Sequence, residues 1–177
     1  MSDIRNRPDT LMRAALAALQ SGLAAQISAI NDDLADEGVS WALPVVGADN
    51  IVIVAQGVHL PDSPTPRVRI EVGQMPLKQI SAGKLGAQTI PINLFAMLTA
   101  DNLGVDSEGD LVQAASALAD ACWWSLVVPL RAAPGYDGVE RVATQLVLMD
   151  LGADDEAIAV EARMAINVGL RRLWSRA

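Results

Sequence analysis

The hydrophobic pattern near the start of the chain predicts one long helix. From residue 8 to about residue 37, apolar residues recur at spacings of three and four, which places them on one helical face. They are Leu11, Met12, Ala15, Leu16, Leu19, Leu23, Ile27, Ile30 and Leu34. Pro8 suits the first turn, and Gly38 can adopt the left-handed conformation that ends a helix. The last turn holds carboxylates that oppose the helix dipole: Asp32, Asp33, Asp36 and Glu37.

Three strand-like segments follow this helix. Residues 51–55 form a short candidate strand, and residues 67–73 alternate cleanly between apolar and charged side chains. The alternation predicts that Val68, Ile70 and Val72 are buried, whereas Arg67, Arg69 and Glu71 face water. Residues 90–98 also alternate, with Phe95 and Met97 adding apolar side chains to the second face. We therefore expect that half of the strand to be covered on both sides.

A second helix and a closing hairpin complete the pattern. Ser107 with Asp110 approximates a capping box, and Pro129 helps to end the helix. Its apolar side is Leu111, Val112, Ala115, Leu118, Ala119, Cys122, Trp123 and Leu126. The hairpin joins strands near 139–149 and 157–168 through the acidic loop DLGADDE. In the last strand Ile158, Val160, Ala162, Met164, Ile166 and Val168 face one way, and Glu161, Arg163 and Asn167 face the other.

The order of elements is helix, two or three strands, helix, two strands. It predicts a single α+β domain over residues 1–177, with a mixed or antiparallel sheet and two main helices packed mostly on one face. The connection 74–88 contains Pro, Gly and Lys, and its length is uncommon in a compact domain. We interpret it as a candidate extended arm.

Charge and composition narrow the classes of partner. The 177 residues carry a formal charge of -8, which opposes binding to nucleic acid phosphates or anionic lipid. Charged residues, Gly or Pro interrupt every apolar run before the roughly 20 residues that span a bilayer, so no membrane segment is expected. The N-terminus lacks the pattern of a secretory signal, which favours the cytoplasm. Arginines are concentrated near both ends of the chain: Arg5, Arg7, Arg13, Arg171, Arg172 and Arg176. They either form one basic rim, if the two ends lie together, or are ordinary solvated charges.

Sequence patterns for catalysis or metal binding are missing. His59 is the single histidine and Cys122 the single cysteine, and the usual nucleophile, phosphate-loop and zinc motifs do not occur. Residues 106–110 resemble the start of a calcium loop but lack its later Gly and Glu, so a helix cap is the better interpretation. We interpret the carboxylates Asp154, Asp155 and Glu156 as part of a solvated turn. We predict a protein that is not an enzyme and needs no cofactor or metal.

Several residues are candidates for contact with another subunit. Trp123 and Trp124 point about 100° apart on a helix, so one belongs to the core and the other to its edge or an interface. Val147 and Met149, like Phe95 and Met97, give a strand a second apolar face, which either another subunit or a second core layer of the same chain can cover. The candidate interface residues are Lys78, Lys84, Phe95, Met97, Trp124, Arg171, Arg172 and Trp174.

The layout of the chain resembles the tail-terminator and tail-completion proteins of tailed bacteriophages, small α+β proteins at the joint between tail and head. The segments that carry the resemblance are LMRAALAALQSGLAAQISAI, TPRVRIEV, TIPINLFAMLTAD, DLVQAASALADACWWSLV, RVATQLVLMDL and AIAVEARMAINV. The resemblance lies in the order of elements and includes no catalytic residues.

The resemblance implies a virion structural protein, assembled in the host cytoplasm and located in the tail or neck. Its partners would be copies of itself in a hexameric ring, the tail tube protein and neck or connector proteins, with the tail sheath as a further candidate. An acidic ring would let DNA pass without binding it. The alternatives are another neck or baseplate protein on a similar fold, or a small-molecule or metal-dependent enzyme with an unfamiliar site.

Overall fold

A mixed five-stranded sheet organises the fold, in the order β1-β2-β3-β5-β4. The computed structural model describes residues 8–55, 65–73, 88–105, 107–150 and 158–170. The strands are β1 (Ile51–Ile53), β2 (Arg67–Val72), β3 (Gln88–Thr99), β4 (Tyr136–Asp150) and β5 (Ile158–Leu170). The helices are α1 (Pro8–Asp36), α2 (Ala100–Leu103) and α3 (Glu108–Ala132). Strands β1 and β2 are parallel and the other pairs are antiparallel, which confirms the predicted α+β class with a mixed sheet.

Helix α1 ends where its sequence predicts. Gly38 has a φ of 78°, and its N–H donates to the Ala35 carbonyl at 3.1 Å. The N–H of Val39 donates to the Leu34 carbonyl at 2.9 Å. These two hydrogen bonds, with Gly38 in the left-handed conformation, end the right-handed helix. After this end the chain turns back along α1, because the Asn31 side chain both donates to and accepts from the backbone of Leu43.

Helix α3 is capped as predicted but runs past Pro129. Ser107 Oγ accepts a hydrogen bond from the Asp110 N–H at 3.4 Å. The expectation that Pro129 ends the helix is wrong, since one more turn continues to Ala132. A proline removes one N–H but leaves the following residues free to be helical. The N–H of Ala133 then closes the last turn by donating to the carbonyls of Pro129 and Leu130.

The same helix qualifies as a membrane span by length and composition, which the sequence-based expectation did not anticipate. Most of the qualifying stretch is buried inside the fold, where α3 packs against α1 and against strands β3, β5 and β4. Its apolar composition therefore matches a helix at the centre of the core.

The alternating residues of the strands supply the other half of that core. The core side chains of the three central strands are Val68, Ile70, Ile90, Ile92, Leu94, Ala96, Leu98, Val160, Ala162, Met164, Ile166 and Val168. These positions agree with the faces predicted for all three strands. Burying each Leu, Ile or Val contributes about 1.5–3 kcal/mol relative to exposure, so the helix side of the sheet dominates stability.

The prediction for the charged face of β2 is wrong. Arg67 and Glu71 are only 7% and 4% exposed, although the alternation predicted that they face water. They point away from α1 and α3, to what we call the outer face of the sheet, defined as the face opposite those helices. Neighbouring strands bring countercharges to this face, and that pairing makes burial of the charges tolerable.

Smaller differences concern the ends of elements. Strand β1 stops at Ile53, and β4 begins at Tyr136 rather than near residue 139. The sequence pattern also missed α2, a single turn after β3. There the backbone N–H of Thr99 donates to Asn102 Oδ1 at 3.0 Å, which caps the turn.

Candidate subunit interface

A network of charges crosses the outer face of the sheet. The strand register places Arg69 opposite Phe95, and Phe95 opposite Arg163, in one row across β2, β3 and β5. Arg69 lies over the Phe95 ring, with its guanidinium carbon 4.2 Å from the ring centroid. Glu161 accepts from Arg163 Nε at 2.8 Å, and its second oxygen lies 3.7 Å from an Arg69 terminal nitrogen. This arrangement holds one carboxylate between two guanidinium groups.

Two further charged side chains extend the network along β2. Glu71 Oε1 lies 3.2 Å from Arg69 Nε. Burial lowers the pKa of Arg67, the positive charge of Arg69 lowers it further, and Glu161 opposes both effects. The glutamates and arginines of this network thus form ion pairs with one another, which connect β2 to β5.

Beside the network lies a shallow groove of about 260 Å³, open to solvent. Its side-chain lining is Asn93, Phe95, Ala143, Gln145, Arg163 and Ala165. These lining residues include neither a nucleophile nor a general base. The groove is therefore a poor candidate for a catalytic site.

The predicted interface residues on β3 lie next to this groove but differ in exposure. Phe95 is half-buried beneath Arg69, whereas Met97 is 3% exposed and stands outside the core that the helices share. Met97 is buried within one chain and offers little surface to a partner. Lys78, Lys84, Arg171, Arg172 and Trp174 lie outside the described residues, as does the candidate arm except for Gln88, which begins β3.

Trp124 is exposed, as expected for one member of the tryptophan pair. Its side chain is 54% exposed on α3, and Val128, one turn further on, is 64% exposed. Trp123 is half-buried, with its ring centroid 5.6 Å from the guanidinium carbon of Arg141 on β4. The two adjacent tryptophans therefore occupy different environments: Trp123 lies on the side of α3 that faces β4, and Trp124 faces solvent.

Strand β4 exposes three more large apolar side chains. Leu146 and Leu148 stand opposite Ala162 and Val160, so they point to the helix side of the sheet, yet both are exposed. Val142 is exposed at a bulge in the same strand. We call the set Val142, Leu146 and Leu148 the β4-side patch. Sequence analysis singled out Val147 and Met149 instead, because it could not show that α3 leaves the far half of β4 uncovered.

The opposite edge of the sheet exposes a smaller apolar set. Val45 is 69% exposed in the segment before β1, and Ile53 is exposed on β1 itself. We call these two residues the β1-side patch. With Trp124 and Val128 on α3, the two patches contain every large hydrophobic side chain that is exposed in the described part of the chain.

A cluster of carboxylates lies at the end of α1. Asn31 ties the segment that carries Val45 to the end of α1, where a cluster of exposed carboxylates follows directly. We call it the acidic end of α1: Asp32, Asp33, Asp36 and Glu37. None of these carboxylates forms an ion pair with a basic residue in the described ranges. The β1 side of the molecule is thus apolar and negative.

Two arginines connect α3 to the first half of β4. Arg131 lies one turn beyond Val128 on α3 and donates to the Val139 carbonyl at 3.2 Å. It forms no ion pair with a described residue. Arg141 pairs with Asp120 and contacts Trp123, which ties β4 to α3. Glu140 is exposed on the same strand, so the charges of Arg131 and Arg141 are balanced by those of Asp120 and Glu140.

The described residues provide little support for catalysis or metal binding. They contain no cluster of metal-binding side chains. Cys122 is fully buried, and burial raises the pKa of its thiol, which disfavours the reactive thiolate. His59, the single histidine, lies outside the described ranges.

Comparison with known proteins adds no assignment. No protein-family model matches this chain, and no curated protein has a significantly similar sequence.

Proposed function

We propose that this chain is a structural subunit that docks against copies of itself, in the ring that terminates the tail of a tailed bacteriophage. The observation that supports self-docking best is the exposure of Val142, Leu146 and Leu148 on β4, the strand at one end of the sheet. Trp124, exposed on α3, is a further candidate for contact with another subunit, because tryptophan is enriched where binding energy concentrates.

The edge strand itself supports docking. Strand β4 spans Tyr136–Asp150 and lies at the end of the strand order, so one side of it has no neighbour among the described strands. A long edge strand with exposed apolar side chains invites association, and proteins normally cover or charge such edges. A neighbouring subunit would cover it.

The bacteriophage assignment is supported by element order and charge. The described elements follow the layout on which the resemblance to tail-terminator proteins rests, including the mixed sheet with both main helices on one face. A net charge of -8 suits a ring through which DNA passes without binding, because phosphates are repelled.

Self-docking can be tested by the mass of the purified protein in solution. Size-exclusion chromatography with light scattering is expected to give an oligomer, and negative-stain images are expected to show rings. A protein that stays monomeric throughout the micromolar range would contradict self-docking.

The place in the virion needs a separate experiment. Purified tail tubes and purified connectors are each immobilised and offered the labelled protein. A tail terminator is expected to bind the end of the tube, whereas binding to the connector alone would favour another neck protein. Binding to neither would contradict both assignments.

A further inference from the structure

We draw no further inference here: the strongest candidate, the edge strand β4 with its exposed β4-side patch, has no neighbour on one side among the described strands, and nothing in the structure shows what covers it.

Discussion

Glu161 and Arg69 meet on the outer face of the sheet, where a Glu161 oxygen lies 3.7 Å from a terminal nitrogen of Arg69. Both side chains are largely withdrawn from solvent, and the other Glu161 oxygen accepts from Arg163. A buried charge without a partner is costly, so these residues depend on one another. Their pairing crosses strands β2, β3 and β5 and holds the row in register.

Removing the carboxylate of Glu161 should therefore destabilise the fold. Glu161→Gln keeps the shape of the side chain but leaves two arginines without their shared countercharge. We expect the free energy of unfolding to fall by about 1–3 kcal/mol, measured by urea denaturation at neutral pH, because Arg69 keeps Glu71 as a partner and Arg163 is exposed. Glu140→Gln, at an exposed position on β4, is the control and should change it by less than about 0.5 kcal/mol. Equal effects of the two variants would show that the network contributes nothing particular.

Asn31 makes a second specific contact that can be tested. Its side-chain amide donates to the Leu43 carbonyl at 3.0 Å, and its oxygen accepts from the Leu43 N–H at 2.7 Å. Asn31→Ala should lower the free energy of unfolding by about 1–3 kcal/mol, because it leaves both backbone groups without partners. Asn31→Asp retains the acceptor and should lose less. A loss from Asn31→Asp as large as that from Asn31→Ala would contradict the assigned roles.

Local features of the fold could be predicted because their causes are local. The end of α1 at Gly38 follows from a left-handed residue, and the faces of β5 follow from alternation. The cap at Ser107 depends on a residue only three positions away. In each case the residues that determine the structure lie within a few positions of one another.

The outer face and the two patches could not be predicted from the sequence, because they depend on strand order. Alternation shows that Arg69 and Glu71 share a face, but only pairing with β3 and β5 brings Glu161 beside them. Similarly, Leu146 and Leu148 are apolar residues of an alternating strand. Their exposure results from the edge position of β4 and from the limited reach of α3 across the sheet.

The cap of α3 supports a third prediction. Ser107→Ala removes the acceptor for the Asp110 N–H and should lower the free energy of unfolding by about 0.5–1 kcal/mol. Ser116→Ala, on the exposed face of the same helix, is the control, and its higher helix propensity should make it neutral or slightly stabilising. Thermal or urea unfolding of both variants measures the difference. The cap assignment fails if Ser107→Ala is as stable as the wild-type protein.

Cys122 supports a fourth prediction, about reactivity. The thiol is fully buried on α3, and burial raises its pKa above the ordinary range. Since the thiolate is the reactive form, a thiol reagent at pH 8 should label the folded protein at least about a hundredfold more slowly than the protein in urea. Rapid labelling of the folded protein would show that this part of α3 opens readily.

The same raised pKa predicts a loss of stability at alkaline pH. An unfolded cysteine releases its proton near pH 8.5, whereas folded Cys122 retains it, so stability is fully present below that pH and falls above it. The slope approaches about 1.4 kcal/mol per pH unit once the unfolded thiol is ionised. Cys122→Ala should flatten the decline between pH 8 and 9.5, measured by urea denaturation. Tyr136, whose pKa burial also raises, adds its loss only above about pH 10. An unchanged slope in Cys122→Ala would assign the alkaline loss to other groups.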